Sequence, residues 1–317
     1  MRRIVVWWDE RQVWLYLAAI ALGAAVGLIA PVAAEPLEFA ITPVLGLLLY
    51  ATFLGIPFAR FGRALRDVRF LGTVVMLNFV LVPVVVFALS RFVATDEALL
   101  VGVLFVLLTP CVDYVIVFAG LAGGARDRLL AATPLLMLLQ ILLLPVYLLL
   151  MAGPGVLSAF DPRPFVEAFL LLIVLPLALA ALTQVAGRIG RRVQAYMAAA
   201  MVPLMMLTLA IVVASQVAEV GGALGSLLIV VPIFSVFVVI MVPLGLVTGR
   251  IARLDLPGQR AAIFSGVTRN SLVVLPLALA LPAGFALTPL VVVTQTLIEL
   301  VAMVVMVALV PRLVRAD

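Results

Sequence analysis

Apolar runs of about 20 residues recur along the whole chain, separated by short polar segments. Each is long enough to cross a bilayer as an α-helix. Ten runs are read, at 13–31, 39–58, 70–89, 99–121, 129–151, 168–186, 195–217, 224–247, 261–281 and 290–310. The alternating polarity over short segments that a transmembrane barrel requires is absent. Lipid offers no partners to backbone polar groups, so the pattern predicts an all-α membrane protein. Two runs are interrupted in the middle. The fourth reads Thr109-Pro110-Cys111-Val112-Asp113-Tyr114, and Pro110 breaks a helix there because it has no N–H and its ring clashes with the preceding turn. The ninth reads Gly266-Val267-Thr268-Arg269-Asn270-Ser271, again with a charge deep in an apolar run.

The polar connections carry a second pattern. All twenty basic residues are arginine; seventeen fall at the termini or in loops 2–3, 4–5, 6–7 and 8–9, Arg91 and Arg163 lie in the opposite loops, and Arg269 is inside the membrane. The positive-inside rule then predicts ten spans with both termini cytoplasmic, in a plasma (cytoplasmic) membrane. The longest connection, 153–167, holds Pro154, Pro162 and Pro164 and divides the spans five and five. The expected organisation is one membrane domain made of a repeat over 1–152 and a second over 153–317. Five is odd, so the second repeat is inverted with respect to the first, a plan common among secondary transporters. The breaks fall in the fourth span of each half. Aligning Pro110 with Thr268, 158 positions on, brings Gln140 to within one residue of Glu299.

Composition narrows the function. With 67% hydrophobic and 11% charged residues, a soluble domain is excluded. Histidine is absent, which removes His-based catalysis and His-ligated metals, and the single cysteine, Cys111, excludes an intramolecular disulfide or a Cys-rich metal site. The net charge of +5 lies in loop arginines and reports topology, not nucleic-acid binding. No cleaved leader is expected, because Asp9 and Glu10 interrupt the basic start. No cofactor is expected.

Candidate chemistry gathers at the interruptions. Thr109 and Pro110 form the first break. Asp113 and Arg269 are the only charges in the two interruptions and are expected close together, as a salt bridge or about a shared water or substrate. Leaving either alone would cost several kcal/mol, because breaking a buried pair leaves an uncompensated ion. Asp113 is a candidate proton carrier, substrate contact or fixed counterion of Arg269. Arg269 is a candidate anion site together with the N–H groups of the half-helices, or only a partner of Asp113. Asn270 and Ser271 stand in the second break as candidate substrate contacts. Cys111 is either a soft ligand for trivalent arsenic or antimony or a small buried hydrophobe. Glu299 is a bundle-interior residue and a candidate for proton coupling. Asn78 and Gln140 read as interhelical hydrogen-bond partners, and Gly23 and Gly27 as close-packing positions.

Three function classes compete. A secondary transporter explains the spans, the odd halves and the paired breaks. A rhomboid-type protease needs histidine, and an intramembrane aspartyl protease needs a second deep aspartate besides Asp113, so an enzyme is not expected. A channel would show a carbonyl filter or a charge ring, and neither is visible.

The segment from Pro110-Cys111 through Val117-Phe118 to Leu121-Ala122-Gly123-Gly124 resembles the crossover helix of the bile acid:sodium symporter superfamily, and Thr268-Arg269-Asn270-Ser271 resembles its second crossover. Pro-Cys at the first break is similar to the arsenite-efflux permeases, which carry a functional thiol at the position of Cys111. The resemblance implies inverted five-helix repeats, a panel domain and a core domain, and alternating access where spans 4 and 9 cross. It also implies departures. Ser265 and Arg269 stand where the sodium symporters carry glutamate and glutamine ligands, and Ile116 stands at an asparagine ligand. Leu272 stands where the arsenite permeases carry a glutamate. A fixed cation at a sodium-ligand position opposes sodium by Coulomb repulsion. The expected activity is therefore sodium-independent efflux of arsenite- or antimonite-like species, with protons as the candidate coupling ion; the alternative is transport of a small organic anion, by uptake or exchange.

Overall fold

A computed structural model describes residues 2–55, 67–112, 114–153, 167 and 170–315. Helix α1 is Arg2–Ile29 and α2 is Ala34–Leu54. Helix α3 (Val68–Met76) passes through a π-helical turn (Leu77–Leu81) into α4 (Val82–Ser90). Helices α5 (Glu97–Leu107) and α6 (Tyr114–Leu121) are the halves of the fourth run, and α7 is Arg126–Ala152. A second π turn (Leu170–Val174) leads into α8 (Leu175–Val185), followed by α9 (Gly187–Gly222) and α10 (Val230–Ile251). Helices α11 (Leu256–Val267) and α12 (Ser271–Leu279) are the halves of the ninth run, and α13 (Leu287–Leu313) is the last. No strand forms among the described residues. Six helical stretches among them are long and apolar enough to cross a membrane, by length and composition.

Local chemistry sets where these elements begin and bend. Asp67, Asp96 and Asp255 each stand at a helix start and accept a backbone N–H three residues on, from Phe70 (3.1 Å), Leu99 (3.0 Å) and Gly258 (3.2 Å). A carboxylate there satisfies an orphan donor and complements the helix dipole. Helix α6 ends on Gly123, whose φ of 71° needs a residue without a Cβ, and the Gly124 N–H returns to Ala119 O at 2.7 Å. Each π turn ends two residues before a proline, Pro83 or Pro176. Pro83 cannot donate to Phe79 O, and the Tyr147 hydroxyl of α7 donates to that oxygen instead, at 2.6 Å.

The chain folds as two compact units, each assembled from two separate segments: Met1–Phe58 with Pro162–Leu224, and Ala59–Asp161 with Gly225–Asp317. Both therefore take helices from both halves of the sequence.

In the first unit α1 packs on α9 through small residues. A Cβ on Gly23 would lie 2.5 Å from Ala210 O, and one on Gly27 would run into Ala214 O. The pairs Gly23/Gly27 and Ala210/Ala214 are each four apart, the spacing that lets two membrane helices approach backbone to backbone. Helix α2 lies against α8 and α9, where Gln184 (3.2 Å) and Gln194 (2.8 Å) donate to Leu54 O at its C-terminal end.

In the second unit the arginine-bearing connections meet at one end. Arg128 bridges the N-cap carboxylates Asp67 (3.3 Å) and Asp255 (2.6 Å), while Arg260 donates to Ala122 O (3.1 Å) and Val314 O (2.8 Å). Arg91, from an opposite connection, donates to Met151 O at 2.8 Å.

Gly27→Leu should lower the thermal midpoint of the solubilised protein, because the added side chain runs into the Ala214 backbone and the Val217 side chain; overpacking of this kind costs about 1–3 kcal/mol. Gly46→Ala, with no atom within 4 Å of the added carbon, should leave the midpoint unchanged or slightly raised.

Candidate functional site

The two interruptions meet in the second unit. Pro110 and Arg269 face each other in an isolated antiparallel bridge. The Cys111 N–H donates to Thr268 O (3.2 Å), and the Asn270 N–H donates to Thr109 O (2.9 Å). These two bonds exchange if Thr109 is matched with Thr268, Pro110 with Arg269 and Cys111 with Asn270, a constant offset of 159 positions. The same offset carries Gln140 onto Glu299. The bridge thus corrects the alignment of Pro110 with Thr268 by one residue, and the polar residues of the fifth and tenth runs then coincide.

Breaking a helix leaves carbonyls without donors, and the two breaks are repaired alike. The Thr109 hydroxyl donates to Phe105 O (2.9 Å) and Val106 O (3.1 Å); the Thr268 hydroxyl donates to Phe264 O (2.8 Å). The remaining carbonyls are closed by one side chain. Arg269 Nη1 donates to Leu107 O (3.2 Å), and Nη2 donates to Ser265 O (2.7 Å), Gly266 O (2.8 Å) and Asn78 Oδ1 (2.8 Å). The guanidinium therefore stands at the C-terminal ends of α5 and α11 together, where the helix dipoles favour a cation. Its carbon lies 5.5 Å from the centroid of the Phe237 ring, and Arg269 is fully buried. Asn78, held in the first π turn, also donates to Ser265 Oγ at 3.0 Å.

Glu299 completes the arrangement from α13. Its carboxylate accepts the Arg269 backbone N–H (2.9 and 3.1 Å to its two oxygens) and the side-chain amide of Gln295. The Tyr114 hydroxyl, at the start of α6, lies 2.7 Å from Glu299 Oε1 and 2.9 Å from Arg269 O. Arg269 and Glu299 are the buried charges among the described residues. Gln140, the counterpart of Glu299, is buried, and its Oε1 has no hydrogen-bond partner among the described residues. The counterpart of Arg269 is Pro110, which has no N–H to give.

The remaining predicted residues divide. Cys111, Asn270 and Ser271 are brought to the crossing and are buried. Asn270 is the N-cap residue of α12, yet its side chain does not cap the helix; its amide oxygen and nitrogen and the Ser271 hydroxyl have no hydrogen-bond partner among the described residues. Asp113 lies outside the described residues, and so does the pairing expected between it and Arg269.

The profile of the Sodium Bile acid symporter family matches residues 42–227, more than half of the chain. The chain belongs to that family. Members of the sodium bile acid symporter family are transporters, and with the apolar helices this makes the chain a multi-pass membrane protein of the transporter class. A comparison with curated proteins returns no match.

Sequence reading missed three parts of the site. Gln295 stands four residues before Glu299, a spacing that puts both on one face of a helix, and that signal was available. Tyr114 was visible as a polar aromatic beside the break. The contact of Asn78 with Arg269 spans 191 positions, and no local pattern announces it.

Asn78→Leu should destabilise the protein by about 1–3 kcal/mol, since it strips an acceptor from a buried guanidinium and a donor from Ser265. Gln140→Leu removes a buried oxygen that has no partner and should be neutral or stabilising. Thermal midpoints of the two variants, measured together, check the contrast.

Proposed function

We propose that the chain is a secondary transporter of ten spans, two inverted five-helix repeats with both termini cytoplasmic, that exports trivalent arsenic or antimony species across the plasma membrane without sodium. What supports this most is the crossing itself. A thiol, Cys111, is buried where two interrupted helices bridge each other, next to the unpartnered Asn270 and Ser271 side chains. A soft sulfur beside neutral hydrogen-bonding groups suits a trivalent metalloid.

The repeat is supported by the two-fold exchange of the bridge bonds and by the make-up of the units. Runs that a five-and-five reading pairs fall in the same unit: the first with the sixth and the second with the seventh in one, and the third, fourth and fifth with the eighth, ninth and tenth in the other. Sodium independence is supported by Arg269, whose guanidinium occupies the carbonyl ends of α5 and α11. A second cation there would meet a fixed like charge. Protons are the proposed coupling ion, with Glu299 and Asp113 as the carriers. Glu299 accepts from an N–H in the second break and lies within hydrogen-bond distance of Tyr114 at the first, so its charge bears on both.

In a metalloid-sensitive host the wild-type chain should lower intracellular arsenic and antimony, and Cys111→Ser should abolish the effect while the protein remains in the membrane. Replacing sodium by a larger organic cation should leave the flux unchanged. A steep, saturable sodium requirement would sink the sodium-independent reading.

A further inference from the structure

We infer that the solute recognised at this crossing is an electrically neutral molecule bearing several hydroxyl groups, so that a metalloid is carried as its uncharged trihydroxide and not as an oxyanion. The inference rests on the proposed reading of the site as a metalloid carrier and fixes the form of the cargo.

It follows first from where the buried charges point. The two terminal nitrogens of Arg269 donate to four protein oxygens, Leu107 O, Ser265 O, Gly266 O and Asn78 Oδ1. An anion seeking them would have to take donors from carbonyls at the broken helix ends. The Glu299 carboxylate is bonded to the Arg269 N–H next to Asn270, and in its ionised form it repels an approaching anion.

It follows next from what is left to bind with. Asn270 is 0% exposed, with both an amide donor and an amide acceptor unpartnered, and Ser271, also 0% exposed, adds a hydroxyl that does either. Gln295 gives its amide N–H to Glu299 and keeps an unpartnered Oε1, and Arg269 keeps an unpartnered Nε–H. This set mixes acceptors with donors. A hydroxyl group answers both, because it donates and accepts. A deprotonated oxyanion only accepts, and would set its lone pairs against Asn270 Oδ1 and Gln295 Oε1.

The test is titration calorimetry on the purified full-length chain at neutral pH, with arsenous acid, boric acid and glycerol as neutral hydroxyl-bearing probes and acetate and sulfate as anions. Boric acid and glycerol carry no thiol-seeking centre. The neutral probes should bind, and Asn270→Ala and Ser271→Ala should each weaken them about tenfold, the size of one lost buried hydrogen bond. Asn270→Ala removes no hydrogen bond to a described residue, and an unchanged thermal midpoint checks that. Acetate and sulfate should not bind. Anion binding that Asn270→Ala weakens, or failure of all three neutral probes, would overturn the inference. If boric acid and glycerol bind and arsenous acid does not, the neutral-solute inference stands and the metalloid reading fails. If arsenous acid binds through Cys111 and is indifferent to Asn270→Ala, the inference fails and the metalloid reading stands.

Discussion

One guanidinium closes the ends of two broken helices. A helix interrupted inside a membrane leaves carbonyls that water cannot reach, and each such group must find a donor in the protein. Here Arg269 supplies donors to Leu107, Ser265 and Gly266 at once, and the hydroxyls of Thr109 and Thr268 donate to Phe105, Val106 and Phe264. Everything else at the crossing follows from that. The arginine needs a compensating charge and Glu299 provides it; Glu299 needs donors and finds them in Gln295, Tyr114 and the Arg269 backbone. The bridge between Pro110 and Arg269 then holds the two breaks in register.

The near-symmetry of the crossing makes its differences informative. Threonine matches threonine across the bridge, but Pro110 matches Arg269 and Gln140 matches Glu299. One side is a residue that can neither donate nor carry charge, opposite a neutral amide. The other carries a cation, opposite a carboxylate. The two interruptions thus differ in chemistry: one bears the thiol of Cys111, and the other bears the guanidinium of Arg269 and the side chains of Asn270 and Ser271, which have no hydrogen-bond partner among the described residues.

The legibility of the sequence follows the range of the interactions. The apolar runs, the two breaks and the burial of Arg269, Glu299 and Cys111 could be read because each depends on a residue and its near neighbours: a proline in a run, a charge far from any loop. The register of the two breaks came out one residue off, because Pro110 resembles Thr268 in breaking a helix while the hydrogen bonds match it with Arg269. The anchoring of Arg269 on Asn78, and the division into units that each draw on both halves of the chain, were not legible, since they join positions far apart along the sequence.

The backbone-to-backbone seam between α1 and α9 has a consequence for biogenesis. Gly23 faces Ala210, which leaves the ribosome some 190 residues later. At translation rates of roughly 5–20 residues per second, α1 waits about 10–40 s in the bilayer before its partner exists. Throughout that interval its bare glycine stripe faces lipid or the insertion machinery, and the first segment of the other unit, Ala59–Asp161, enters the membrane before the first unit can close.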